Sequence, residues 1–181
     1  MSGAAHLAGP WPPELWELEF CLPRTPGENI TARDGETLLL GAVGLNYWPA
    51  ACRELLARGV DVHCRTHSGS TPLHEAAFHG KLDCVRLVLD HGANIEAQSH
   101  SGRTALHEAV CWCSRSGDPA CFRLLVERGA NTTAADNNGA TCATLALRFK
   151  PEEEDDDDES VLKAAALDEI IKVVEASKAS T

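Results

Sequence analysis

Residues Ser70 to Gln98 read STPLHEAAFHGKLDCVRLVLDHGANIEAQ, and a weaker copy of that pattern lies on each side. Thr71-Pro72 opens the stretch, and Leu73, Ala76 and Ala77 follow at i, i+3 and i+4. That spacing predicts a short helix with one narrow apolar face made mostly of small side chains, so another backbone can approach closely. His79-Gly80 ends it, Gly80 tolerating the left-handed C-cap that other residues resist. A second helical pattern, Cys84, Val85, Leu87, Val88 and Leu89, runs up to Gly92. Helices this short are marginal alone in water, and two of them cannot bury both apolar faces against each other. The unit requires neighbours.

Neighbours are present. Asp34 to Val62 carries D-G-E-T-L-L-L-G-A-V and then C-R-E-L-L-A-R-G-V-D-V, whereas Ser99 to Ala135 carries S-H-S-G-R-T-A-L-H-E-A-V and then C-F-R-L-L-V-E-R-G-A-N. Gly35, Gly69, Gly102 and Gly139 lie 34, 33 and 37 residues apart, and Gly59, Gly92 and Gly129 repeat the rhythm. On this period and on Thr71-Pro72-Leu73-His74 and Thr104-Ala105-Leu106-His107, the chain resembles the ankyrin repeat family, whose unit is about 33 residues with a T-P-L-H signature. The first and last copies, Thr37-Leu38-Leu39-Leu40 and Thr141-Cys142-Ala143-Thr144, depart from the signature in the manner of terminal capping repeats.

The expected architecture is an all-α ankyrin-repeat solenoid of helix-turn-helix units with β-turn fingers. Its repeats span about 33–65, 66–98, 99–135 and 136–176, after an N-terminal Pro/Trp-rich segment over 1–32 and before a short tail over 177–181. In the N-terminal segment, Pro13 can open a helix PELWELEF bearing Leu15, Trp16 and Leu18; this segment reads as a cap on the first repeat or as a partner-binding motif using Trp11 and Trp16. Tyr47-Trp48-Pro49 falls in the turn of the first repeat, where packing is the expected role of Trp48. Cys111 to Pro119 contains four extra residues, read as a loop that puts Trp112 and Arg115 at an inter-helix turn. There Trp112 either meets a partner or folds back over the loop.

The chain has a formal charge of −11, of which the run Glu152 to Glu159 supplies eight negative charges. Like charges repel and favour a solvated loop inside the last repeat, whose second helix resumes near Ser160 with Leu167, Ile170, Ile171 and Val174 on one face. No basic stripe with interleaved aromatics is visible, so nucleic acid is not an expected partner. Neither a secretory leader nor a membrane-length apolar run is read, which gives an expected cytoplasmic or nuclear location and reduced thiols for the eight cysteines. Cys84 and Cys121 hold equivalent positions and suit small buried hydrophobes.

Chemistry is the weaker reading. His107 and Cys111 are i, i+4 on one helix, but no third group or oxyanion site accompanies them, so no catalytic residue is expected. His107, Cys111, Cys113 and Cys121, or His63, Cys64 and His67, could hold zinc, although they lack the usual C-x2-4-C knuckle. No cofactor or metal is expected.

The resemblance implies more. In ankyrin proteins, turns such as Thr66-His67-Ser68-Gly69, Ser99-His100-Ser101-Gly102 and Asp136-Asn137-Asn138-Gly139 form fingers that, with the first helices, line a concave binding surface. Carried over, this gives partner-binding candidates His67, Ser70, Phe78, His79, His100, Arg103, Trp112 and Asn137, together with Ala140, Glu75 and Glu108. His74, His107, Gly80, Gly92 and Gly129 take structural roles, each histidine tying neighbouring backbone together. The implied function is protein binding without catalysis, as an adaptor, scaffold or small inhibitor that is monomeric outside its complex. The alternatives are a subunit or substrate adaptor of an assembly such as a ubiquitin ligase, for whose recruitment box the chain after its last helix leaves no room, or a zinc-stabilised module. At the position that an asparaginyl hydroxylase modifies in ankyrin repeats the chain has His63, Glu96 and Thr133, leaving His63 as a weak candidate.

Overall fold

The computed structural model describes residues 38–43, 49–151 and 158–179. The readings of Trp11, Trp16 and Trp48 and most of the acidic run lie outside these residues. Eight helices follow in order among the described residues: α1 (Leu38–Val43), α2 (Pro49–Ala57), α3 (Pro72–Phe78), α4 (Leu82–Asp90), α5 (Ala105–Ser116), α6 (Ala120–Glu127), α7 (Cys142–Phe149) and α8 (Asp158–Ala179). Each odd-numbered helix packs on the helix that follows it. The odd helices also pack in succession, α1 on α3, α3 on α5 and α5 on α7, while α2, α4 and α6 form a second layer. The only strand-like pairing among the described residues is the antiparallel bridge of Ala135 with Thr141.

Small residues set the spacing of the inner layer. Ala76, Ala77, Ala109 and Ala146 are all essentially inaccessible, so neighbouring helix backbones approach closely. The outer layer is held by a column of thiols at equivalent positions, Cys52, Cys84 and Cys121, each at most 2% exposed. Burial pushes the Cys121 thiol up to about 12, and a hydrogen bond to Cys84 together with burial raises that of Cys52. These sulfurs are packing groups.

Helix starts are built around threonine. Thr71 is extended (φ −96°, ψ 168°) and Pro72 occupies the first turn, where its missing N–H costs nothing. The Nδ1 of His74 accepts from the Thr71 N–H (3.2 Å) and contacts its Oγ1 (2.8 Å), while Nε2 donates to the Arg103 carbonyl of the next repeat at 2.9 Å. His107 repeats the arrangement, with Nδ1 3.1 Å from the Thr104 N and Nε2 3.2 Å from the Ala140 carbonyl. An Nδ1 that accepts from a backbone N–H carries no proton, so both rings are neutral Nε2–H tautomers.

Cys111 to Ser116 continue the helix, which corrects the loop reading for these residues and leaves Gly117 to Pro119 as the turn. Helix α5 runs for 12 residues, whereas α3 has 7. Neither glycine nor proline interrupts Ala105 to Ser116, and the apolar face continues through Leu106, Ala109, Val110 and Cys113, all buried. Gly117 then ends the helix at φ 70°, its N–H bonding the Cys113 carbonyl at 2.8 Å. The lengthened α5 also meets α8, which packs on both α5 and α7. Leu167, Ile170 and Val174 of α8 are fully buried, with Ile171 partly so.

Among the described residues, the inner row of helices ends at α7. Thr144 stands where the preceding repeats have histidine; it caps its own turn by accepting from the Thr141 N–H at 2.8 Å. Leu147 is 60% exposed, although the equivalent Val110 and Ala77 are inaccessible.

Candidate protein-binding surface

Between the inner helices the chain reverses through Thr66–Ser70, Ser99–Arg103 and Asp136–Ala140. In each finger the first N–H bonds the carbonyl four residues on, at 2.9 Å. Successive fingers are joined backbone to backbone: His100 N–H donates to the Ser68 carbonyl (2.9 Å) and Asn137 N–H to the Ser101 carbonyl (3.0 Å). Gly102 has φ +77°, and a Cβ there would stand 2.7 Å from the Asn137 backbone nitrogen, so only glycine allows both the turn and the approach of the next finger. The Asp136 carboxylate accepts from the Asn138 and Ala140 N–H groups at 2.8 and 2.9 Å, and these bonds hold its pKa below the usual carboxylate range.

The fingers and the first helices enclose an open groove of about 620 Å³. Ser70, Phe78, His100 and Arg103, all expected at a binding surface, line it together with Glu75 and Glu108. The finger hydroxyls of Ser68, Ser99 and Ser101 line it as well, which sequence reasoning passed over. Alternation along the finger would have found them, since each lies two residues from another lining residue. The groove therefore offers hydroxyl and imidazole groups along one wall and a half-buried aromatic ring with two carboxylates along the other.

Arg103 sits in the middle, and its charge is largely answered. It lies 3.6 Å from Glu108, 3.9 Å from Asp136 and 3.7 Å from the Cys111 sulfur. Burial raises the Glu108 pKa, and Arg103 works against that rise. Five expected site residues, His67, His79, Trp112, Asn137 and Ala140, are not among those lining the groove. His67 is exposed on its finger, and Asn137 uses its side-chain amide to donate to the His100 carbonyl at 2.9 Å. His79 sits at the end of α3, its ring edge-on to Phe78 with centroids 5.1 Å apart, and its pKa is lowered by burial and then by the positive charges of Lys81 and Arg115. Trp112 folds back over Gly80: a Cβ on that glycine would lie 2.1 Å from the indole Cε2, and the indole N–H is buried without a hydrogen-bond partner.

Among the described residues, no group of three or more histidines, cysteines or carboxylates is arranged to hold a metal ion. No helix of the described residues is long and apolar enough to cross a membrane.

A family model described as ankyrin repeats (3 copies) matches residues 39–136. The chain belongs to the ankyrin repeat family. No curated protein matches the chain at a significant level. Ankyrin repeats are generally protein-protein interaction modules, and in this chain His74 and His107 each bond a carbonyl of the following finger. The match ends at the third finger boundary, where the T-x-x-H pattern gives way to Thr141 and Thr144.

Proposed function

We propose that this ankyrin chain is a protein-binding module, acting as an adaptor, scaffold or small inhibitor, and that the partner lies along the finger and first-helix groove. The observation that carries the reading is the groove itself. Ser70, Phe78, His100 and Arg103 come from two different repeats, yet they line one continuous concavity. Phe78 is the anchor: it is half-buried, so a partner group that covers it completes the desolvation of a ring already fixed in place. The serine hydroxyls donate and accept with little entropy loss, because Thr66, Ser68 and Ser70 already bond one another at 2.7 and 3.1 Å. No covalent chemistry is assigned to these residues, and the module is taken to be a monomer outside its complex.

The test compares affinity-purified partners of the wild-type chain with those of a Phe78→Ala, His100→Ala variant of equal helicity and melting temperature. Loss of the same partners in the variant is the expected result. Retention of every partner would move the interface off the groove.

A further inference from the structure

Arg115 lies on the extra turn of α5, outside the repeat pattern, and its setting differs from that of Arg103. Its Cζ is 4.5 Å from the centroid of the Phe78 ring and 5.7 Å from that of Trp112. One guanidinium nitrogen, Nη2, donates to the Phe78 carbonyl at 2.9 Å, and Nε donates to the Cys111 carbonyl at 3.3 Å. The head group is thus fixed between two repeats by two main-chain acceptors and two aromatic rings, while the residue stays exposed. Among the described residues, no carboxylate is within ion-pair distance of it. Glu108 is committed to Arg103 at 3.6 Å, and Glu75 faces His79 at 4.0 Å. Lys81 and Arg115 both act on His79 as positive charges, and Arg115 acts on Glu108 as well.

A guanidinium fork matches a carboxylate bidentately, and one already immobilised loses little side-chain entropy on binding. Phe78 belongs both to this corner and to the groove, so a segment lying in the groove reaches Arg115 without a gap. We propose that Arg115, held between Phe78 and Trp112, is a carboxylate-recognition point, and that the partner segment bound by this chain carries an aspartate or glutamate there. The proposal rests on the groove reading above and gives the partner its chemistry. The remaining guanidinium N–H groups meet the carboxylate, and the apolar part of the same segment covers the two rings.

The test uses the full chain and a displayed library of random peptides. The bound pool is expected to be enriched in Asp and Glu over the input, against the overall charge of the chain. The strongest binder is then synthesised with each acidic residue present or replaced by its amide, and binding is read by fluorescence anisotropy at about 0.15 M salt. Arg115→Gln should weaken the acidic peptide about tenfold and leave its amide counterpart unchanged. Arg115→Lys, which keeps the charge over the rings but loses the fork, should show most of that loss and guards against a folding defect in the glutamine variant. A pool without acidic enrichment, or an Arg115→Gln affinity within about twofold of wild type, overturns the proposal. If such a pool is still lost with Phe78→Ala, His100→Ala, the groove reading stands alone. A pool that needs Arg115 but ignores His100 overturns the groove instead, and failure to select any peptide overturns both.

Discussion

Lowering the pH should destabilise this protein through His74 and His107. Both imidazoles are at most 2% exposed, and burial depresses the pKa of each below 6.5. A depressed folded-state value means that the unfolded chain binds the proton more readily. The histidine contribution is therefore fully present above about pH 6.5 and is lost as pH falls through the folded-state value. Protonation at Nδ1 would also set a donor against the Thr71 and Thr104 N–H groups, at 3.2 and 3.1 Å. If neither ring protonates in the folded state, each costs about 1.4 kcal/mol between about pH 7.5 and pH 5.5, or about 2.7 kcal/mol together. Against a typical total of about 5–15 kcal/mol, that is a large share. Glu108 works in the opposite direction, since burial raises its pKa above the usual carboxylate range. The assay is urea unfolding at a series of pH values, from which the slope of stability against pH gives the protons taken up on unfolding. His107→Gln should be less stable at every pH and show a shallower slope than wild type. A wild-type stability that is flat across this window, or an undiminished slope in the variant, would refute the assignment of neutral, buried links.

Three other outcomes follow from packing. Gly80→Ala adds a Cβ at φ +64° into the Trp112 indole, 2.1 Å from Cε2, and should cost about 2 kcal/mol in urea unfolding; part of that cost should vanish in a Gly80→Ala, Trp112→Ala double-mutant cycle. Val110→Ala should cost about 2 kcal/mol, because Val110 is inaccessible, whereas Leu147→Ala at the equivalent, 60% exposed position should change thermal stability by less than about 0.5 kcal/mol. Among the seven described cysteines, mass-mapped alkylation of the native chain should reach half-buried Cys111 first, since the other six are buried.

The second and third repeats are legible because local chemistry and long-range packing there ask for the same residues. Thr71 and Thr104 both cap a helix and fix a histidine, and each histidine bonds a carbonyl about thirty residues away, so the T-x-x-H pattern records a tertiary contact. In the fourth repeat the pattern fades at Thr144, where the described chain has no following finger to bond. The groove residues were legible in part for the same reason: a finger turn that must be tight fixes where His100 and Arg103 emerge. What the pattern cannot report is which polar side chains the fold itself consumes. Asn137 looks free in sequence, yet its amide holds the His100 carbonyl.

The third-repeat insertion shows where the period misleads. Reading four extra residues as a loop applies a rule about repeats, although the local signal said helix: no breaker stands between Ala105 and Ser116, and Cys113 extends the buried face one turn. Lengthening a helix within a stack has a consequence that a loop would not have. The extra turn rises beside the preceding repeat, so Trp112 must lie over the turn of that repeat, and Gly80 is the residue that makes room. Arg115 comes three residues later, on the same side of the helix, and so reaches the end of α3 rather than solvent alone. The rigid guanidinium is thus a product of insertion length: one residue fewer would rotate it by about 100° around the helix and away from Phe78. Deleting a single residue between Val110 and Arg115 should therefore abolish the Arg115 contact with the Phe78 carbonyl, even where the helix itself persists.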